Sequence, residues 1–209
     1  MKDANPVKTP LTPGIKLSLQ DSPDEVDPEL QRKYQEIIGS LMYLYQWTRP
    51  DLGYAVTFLS RYLHKPGVAH MNAAKRVLIY LRGTTELGLR YTRDAKVLEQ
   101  KLQKQNTLYA MADSDFAGCL DTGKSTTGYM IFMNGAVVAY YSARQSTVAL
   151  CTAMAETIAL TKLVVKVKHM RALMAGLTHH QEGETVINST CAWTNNTATL
   201  SVMKGYNFT

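Results

Sequence analysis

Residues 126–143 read TTGYMIFMNGAVVAYYSA, and this stretch decides the fold of the second half of the chain. Two runs rich in β-branched and aromatic side chains flank Asn134-Gly135, the dipeptide preferred in two-residue hairpin turns. The stretch therefore predicts a β-hairpin. Residues 152–177, TAMAETIALTKLVVKVKHMRALMAGL, follow with apolar side chains at roughly helical intervals, and they predict one long helix.

Four further segments surround this hairpin and helix. Residues 87–92 (LGLRYT) and 108–113 (LYAMAD) predict short strands with a charged loop between them. Residues 185–193 (TVINSTCAW) predict a strand after the long helix, and residues 196–205 (NTATLSVMKG) predict a short helix. From residue 107 the order is strand, strand, strand, helix, strand, helix. A hairpin followed by a helical crossover requires a mixed sheet, so the predicted fold class is α/β with a mixed sheet of the α+β type.

The first half of the chain has a different pattern. Residues 1–28 are rich in proline, which lacks the backbone donor of a helix, and they predict an extended, poorly ordered leader. Residues 29–86 contain three segments with apolar side chains at near-helical spacing, which predict three helices. Gly83 is a suitable C-terminal cap for the third helix.

Composition limits the class of protein. The net charge of +6 favours anionic partners, nucleic acid first. Three cysteines without a CxxC pair indicate neither a disulfide framework nor a zinc site. No apolar run approaches the roughly 20 residues of a membrane helix, and the N-terminal residues lack the apolar segment of a signal peptide. We therefore expect an intracellular protein, cytoplasmic or nuclear, that is neither secreted nor held in a membrane.

Three acidic side chains stand where an α/β enzyme could bind a metal. Asp113 and Asp115 come at the end of a predicted strand, where carboxylates can bind Mg²⁺, although acids also end strands as ordinary polar turns. Glu156 lies in the first turns of the long helix, where a negative charge interacts favourably with the helix dipole. Its apolar neighbours Ala155 and Ile158 leave open a second interpretation, in which Glu156 faces the sheet and needs a partner or a metal.

Three basic side chains, Lys75, Arg76 and Arg82, lie largely off the apolar stripe of the third predicted helix. Such residues form a solvated helix face in many proteins, and in others they contact phosphates. The sequence pattern leaves both interpretations open.

Several motifs, taken in order, resemble a known family: YQEIIGSLMYLYQWTRPDLGYAVTFLSRYLHKP, AAKRVLIYLRGT, ADSDFAGCLDTGKSTTGYMIFMNGAVVAYYSARQSTVAL and AMAETIAL. They resemble the pol polyprotein of copia-type retrotransposons, where the reverse transcriptase ends and ribonuclease H begins, and they span most of residues 34–200. The resemblance implies a ribonuclease H-like domain over residues 87–209, with its fold proper from about residue 107, incomplete at the C-terminus. It also implies the helical C-terminal part of reverse transcriptase over residues 29–86, after a leader of residues 1–28.

The resemblance also implies a chemistry. In this family, carboxylates hold two Mg²⁺ ions, or Mn²⁺, that flank the scissile phosphate of the RNA strand in an RNA–DNA hybrid. Matched by motif, Asp113 and Glu156 are metal ligands, whereas Asp115 has no metal-binding role. The family has Asp-Asn where this chain has Asn195-Asn196, and its last carboxylate belongs to a segment beyond Thr209.

The implied partners are the hybrid and the remainder of the reverse transcriptase. The candidate nucleic-acid contacts are basic or amide side chains in both halves of the chain: Lys75, Arg76, Arg82, Lys124, Arg144 and Asn196.

Asn195 determines the expected level of activity. Its amide oxygen can still bind Mg²⁺, but it brings no negative charge, so the repulsion between two dications is poorly compensated. We therefore expect catalysis by Asp113, Glu156 and Asn195 to be very weak or absent, and metal binding to be weakened. Three alternatives remain: a weakly active nuclease, a non-catalytic nucleic-acid-binding module, and a protein-interaction module that docks through the helices of residues 29–83.

Overall fold

The chain is described by a computed structural model that covers residues 5–101 and 103–178 and the backbone of residues 191–193. It divides into two compact units. The first unit comprises Met1–Leu89 and Cys119–Gly123, and the second comprises Arg90–Gly118 and Lys124–Thr209. None of the helices in the described part of the chain is both long and apolar enough to cross a membrane.

Three α-helices form the first unit: α1 (Pro28–Trp47), α2 (Gly53–Leu59) and α3 (Val68–Gly83). Short 3-10 helices occur at Leu19–Asp21, Pro50–Leu52 and Ser60–Tyr62. Helix α1 begins where Asp27 accepts a hydrogen bond from the backbone N–H of Glu29 over 2.9 Å. The three helices occur in the segments whose apolar spacing predicts them.

One apolar core joins these helices. Its fully buried members come from all three helices and include Ile38, Leu41, Val56, Ala74 and Val77. The spacing of these residues follows the helical period, so each helix turns one apolar stripe towards the other two.

The leader is packed on this core, which differs from the expectation of a poorly ordered segment. Leu11 and Leu17 are buried in it, and the Tyr62 hydroxyl donates to the carbonyl oxygen of Leu17 over 2.7 Å. Proline excludes a helix here, but an extended chain can still bury alternate side chains and give its carbonyls to donors of the core. The proline content therefore predicts the absence of an α-helix and not the absence of packing.

The second unit is built on a four-stranded sheet. Its elements in chain order are α4 (Ala95–Gln100), β1 (Tyr109–Ser114), β2 (Thr126–Met133), β3 (Ala136–Arg144), α5 (Thr152–Thr178) and β4 (Cys191–Trp193). The strand order is β3-β2-β1-β4. Strand β2 pairs antiparallel with both β1 and β3, and β4 pairs parallel with β1. The predicted mixed sheet is therefore confirmed.

The hairpin between β2 and β3 has the predicted turn. Asn134 and Gly135 both have positive φ angles, 50° and 90°, as a type I′ turn requires. The register shifts by one residue between Ile131 and Phe132, which marks a β-bulge at Val138 of β3.

Two predictions around β1 are wrong. Residues 87–92 form no strand, and within the second unit Tyr91 and Thr92 make only isolated hydrogen bonds to the hairpin, at Val137 O and Asn134 O. A strand needs a partner edge along its length, and isolated bonds do not supply one. Part of the expected charged loop instead forms α4, whose first turn is capped by Asp94. The short helix predicted at residues 196–205 lies outside the described residues.

Helix α5 covers one face of the sheet. Its buried residues Ala159, Leu160 and Leu163 pack against buried residues of the sheet and of the segment just before β1. These are Leu108, Ala110, Ala112 and Ile131. Alternate residues of a strand point to opposite faces, so burial alternates along β1. Ala110 and Ala112 face α5, while Met111 and Asp113 are exposed on the other face.

Candidate active site at one end of the mixed sheet

Asp113 lies near the end of β1, opposite Gly128 of β2. Its carboxylate is exposed, and one of its oxygens accepts a hydrogen bond from the backbone N–H of Ser114 over 2.8 Å. Since β1 and β3 are both antiparallel to β2, they terminate at the same end of the sheet. Strand β4 runs parallel to β1 and terminates towards that end too.

Glu156 lies in the first turns of α5 and is only 9% exposed. Its helix neighbours Ala155, Ala159 and Leu160 are all buried. Glu156 therefore belongs to the stripe of α5 that faces the sheet. Of the two interpretations that the sequence left open, the sheet-facing one agrees with this burial.

Gln145 connects α5 to the end of the sheet where Asp113 lies. Its amide nitrogen donates to Thr127 Oγ1 of β2 and to the carbonyl oxygen of Ala155 in α5, each over 3.0 Å. Thr127 pairs with Ser114, the residue after Asp113, and Ala155 precedes Glu156. The fold thus brings Asp113 and Glu156 to the same end of the sheet but to different faces: Glu156 is buried under α5, whereas Asp113 is exposed on the face away from this helix.

Sequence reasoning missed Gln145 because no local pattern marks it. Its partners lie 18 and 10 residues away along the chain, and only the folded sheet brings them together. A single glutamine after a strand carries no signal of this role.

Asp115 has a structural role in the turn after β1. Its carboxylate accepts a hydrogen bond from the backbone N–H of Thr126, and its own N–H donates to the Thr126 carbonyl oxygen over 3.2 Å. A Cβ at Gly118 would lie 2.1 Å from Asp115 Oδ2, so only glycine leaves room for this carboxylate. Asp115 thus closes the turn after β1, and its lack of a metal-binding role stays a prediction.

Two of the predicted nucleic-acid contacts lie at the same end of the sheet. Arg144 is exposed at the end of β3, paired with Thr126. Lys124 comes just before β2, and its Nζ donates to the carbonyl oxygen of Ser146 over 2.6 Å. The end of the sheet that carries Asp113 thus also carries two cations.

The three basic residues of α3 have different environments. Lys75 and Arg82 are exposed. Arg76 is partly buried, and its Nη2 donates to Thr9 Oγ1 of the leader over 3.3 Å. The structure therefore assigns Arg76 a packing contact, and it leaves Lys75 and Arg82 accessible to solvent.

The third expected ligand position, Asn195, and its neighbour Asn196 lie outside the described residues. They follow β4, whose last residue Trp193 pairs with Met111 of β1. Over residues 5–101 and 103–178, no three His, Cys, Asp or Glu side chains form a group that could hold a metal ion. The metal assignments of Asp113 and Glu156 stay predictions.

Known proteins resemble most of this chain. It is 36% identical over 185 residues to the retrovirus-related Pol polyprotein from transposon TNT 1-94 of Nicotiana tabacum, which covers 87% of this chain and 13% of that protein. It is 40% identical over 158 residues to the corresponding polyprotein from transposon RE2 of Arabidopsis thaliana, which covers 75% of this chain and 10% of that protein. The chain thus spans only about a tenth of the length of these Pol relatives.

A shorter relative matches along most of its own length. The secreted RxLR effector protein 161 of Plasmopara viticola is 38% identical over 129 residues, which are 62% of this chain and 84% of that protein. No protein-family model matches the chain, and no solved structure matches it. The chain is thus homologous to one segment of the Pol polyproteins of several transposons.

Proposed function

We propose that the second unit is a ribonuclease H-like domain that binds RNA–DNA hybrids and hydrolyses their RNA strand very weakly or not at all. The topology supports this assignment: three antiparallel strands are followed by α5, and β4 then pairs parallel to β1. The similarity to transposon Pol polyproteins supports it independently.

The observation that carries the proposal is that Asp113 and the first turns of α5 lie at the same end of the sheet. Strand pairing sets Thr127 opposite Ser114, the neighbour of Asp113, and Gln145 hydrogen-bonds both to Thr127 and to Ala155, the neighbour of Glu156. Lys124 and Arg144 lie at the same end, where their charges would attract a phosphate backbone. Acids and cations at one end of a sheet suit a site that binds a metal and a nucleic acid together.

The ligand types fit magnesium, but their charge is low. Asp113 and Glu156 offer the hard carboxylate oxygens that Mg²⁺ prefers. When bound, the metal would lower the pKa of water and stabilise charge on the phosphate oxygens. The neutral amide of Asn195 reduces the negative charge available to hold two such ions, which is why we expect weak hydrolysis.

Cleavage of a labelled RNA–DNA hybrid in Mg²⁺ or Mn²⁺ tests the proposal. We expect the unmodified chain to cut at or near the background rate. Asn195→Asp should raise the rate on the order of tenfold or more, equivalent to about 1.4 kcal/mol of transition-state stabilisation. Adding Asp113→Asn to that variant should remove the gain, because it deletes a proposed metal ligand.

Asn134→Asp is the matched control for added charge. It introduces the same carboxylate in the hairpin turn at the opposite end of the sheet, where Asp tolerates the left-handed backbone. Equal rates for the Asn134→Asp and Asn195→Asp variants would contradict a special role for residue 195. Rapid cutting by the unmodified chain would show that the predicted loss of activity is wrong. Hybrid binding without cutting in every variant would favour the non-catalytic binding module.

Protein binding by the first unit is the second candidate function. Tyr43 and Trp47 of α1 are 65% and 66% exposed, although aromatic side chains of this size are usually buried. The Tyr43 ring contacts that of Trp47, with centroids 6.4 Å apart. Tyr43 also helps to line a groove of 560 Å³, together with Gln35, Ile38, Gly39, Met42, Gln46, Leu63 and His64. If the groove binds a second copy of this chain, light scattering will detect a dimer.

A further inference from the structure

Gln145 is a buried polar side chain at the proposed site. It follows β3, is 1% exposed, and donates its backbone N–H to the carbonyl oxygen of Ser125 over 2.7 Å. Its side-chain nitrogen carries two hydrogens, one for Thr127 Oγ1 and one for Ala155 O. Its donors therefore connect two elements, β2 and α5.

The bond to Ala155 is not needed to satisfy the helix. An α-helical carbonyl oxygen already accepts the N–H four residues further on, and its second lone pair is normally left to solvent or unused. Because Gln145 occupies that lone pair, it fixes the rotation and the height of α5 relative to β2. Ala155 directly precedes Glu156, so the same bond is made to the turn of α5 from which the Glu156 side chain leaves.

The carbonyl oxygen of the Gln145 side chain indicates that glutamine is not the most stabilising residue at this position. Within the described residues, Gln145 Oε1 is buried and has no hydrogen-bond partner. A buried acceptor without a partner is unfavourable, and an apolar side chain of similar shape would avoid it. The two donor bonds are what distinguish glutamine from such a side chain at this position.

We propose that Gln145 is a positioning residue that holds the carboxylate of Glu156 in place at the end of the sheet. The metal-binding consequence rests on the function proposed above. The positional consequence does not, because the contacts from Gln145 to Thr127 and Ala155 exist without any ligand.

Gln145→Met tests the proposal, since methionine keeps the length of the side chain and removes both donors. Gln103→Met is the matched control. Gln103 is a partly buried glutamine that accepts the N–H of Gly135 over 2.9 Å at the hairpin end of the sheet. The first readout is the ¹³C resonance of the Glu156 carboxyl group, which Glu156→Gln identifies. The second is the affinity for Mn²⁺, measured by electron paramagnetic resonance in the unmodified and the Asn195→Asp backgrounds.

The expected result is a displaced Glu156 resonance and an affinity for Mn²⁺ at least tenfold weaker in Gln145→Met. Gln103→Met should leave the resonance in place and change the affinity less than twofold. Equal effects of the two substitutions on the resonance would overturn the proposal, because a general loss of stability would then explain both. Thr127→Val removes only one partner of Gln145 and should displace the same resonance by less, so it replaces Gln145→Met if that variant does not fold.

The two proposals can fail separately. If neither background binds Mn²⁺, the metal site of the proposed function is wrong, and the Glu156 resonance alone decides the role of Gln145. If Mn²⁺ binds and Gln145→Met alters neither the affinity nor the resonance, the metal site stands and the positioning role of Gln145 is refuted.

Discussion

His70 is a fully buried imidazole in the core of the first unit. Its ring stacks on Tyr62 with centroids 4.0 Å apart. Nδ1 accepts the backbone N–H of Gly67 over 2.9 Å, so the neutral ring carries its proton on Nε2 and donates it to the carbonyl oxygen of Ser18 over 3.2 Å. This one side chain therefore holds the leader against the start of α3.

The stability of the first unit should depend on His70 below neutral pH. Burial lowers the pKa of His70 below 6.5, while Asp21, the Ser18 carbonyl and Asp121 oppose the shift. The neutral ring's contribution is therefore complete above pH 6.5, and it is lost as pH falls from there through the folded-state pKa. We expect the free energy of unfolding to fall by up to about 1.4 kcal/mol per pH unit in that window.

Urea unfolding followed by circular dichroism at several pH values measures this slope. His70→Gln should flatten it, because the amide does not titrate. His64→Gln is the matched substitution, since it removes an exposed imidazole from the same unit. A slope that survives in His70→Gln would assign the pH dependence to other groups.

For single residues, a role that follows from residue type and local position was easier to predict than a role that follows from contacts with distant parts of the chain. Asp113 and Glu156 could be nominated because an acid at a strand end or in a first helical turn is recognisable in sequence. Gln145 and His70 could not, because their partners come from distant parts of the chain.

Arg49 joins the ends of two helices in the first unit. Its guanidinium makes two hydrogen bonds to the Asp51 carboxylate, over 2.9 and 2.8 Å, and donates to both oxygens of Thr84 beyond α3. The Tyr80 hydroxyl donates to Asp51 over 2.9 Å. Burial would raise the pKa of Asp51, but these hydrogen bonds from Arg49 and Tyr80 outweigh it and the pKa is lowered. The connection after α1 is thereby tied to the end of α3.

Arg49→Lys should destabilise this junction. Lysine keeps the charge but cannot present the planar pair of donors, so at least one buried oxygen loses its partner. We expect a loss of about 2 kcal/mol in the free energy of unfolding, measured by urea denaturation. Arg32→Lys, in an exposed pair with Glu36, should change it by less than about 0.5 kcal/mol. Equal losses would show that the junction contributes no more than a surface ion pair.

At the scale of elements, the predictions that held were those with a complete local signal. The hairpin has its turn dipeptide and two β-rich runs, and α5 has a long helical period, so both could be located from sequence. Residues 87–92 have strand-like alternation without a partner edge, and α4 depends on Asp94 as a cap in a stretch that looked like a charged loop. Strand pairing depends on tertiary contacts, and helix capping depends on the conformation of the preceding turn. A short sequence pattern determines neither.

For the molecule as a whole, the net charge of +6 favours anionic partners and does not indicate a particular fold. The predicted nucleic-acid contacts in the described residues include two pairs of cations: the partly buried Lys124 and the exposed Arg144 at the end of the sheet, and the exposed Lys75 and Arg82 on α3. The proposed function places the hybrid on the first group, because only that group shares its end of the sheet with Asp113. The charge alone does not distinguish the two.

Salt-dependent binding of the hybrid separates these two groups. Each phosphate contact contributes roughly 0.7–0.9 to the slope of log K against log salt concentration. The double variant Lys124→Gln/Arg144→Gln should therefore reduce the slope by about 1.5, whereas Lys75→Gln/Arg82→Gln should leave it nearly unchanged. Both double variants remove two charges, so they alter the net charge of the chain equally. A reduction confined to the α3 variant would place the nucleic acid on the first unit, and the site proposed at the end of the sheet would then not be where the hybrid binds.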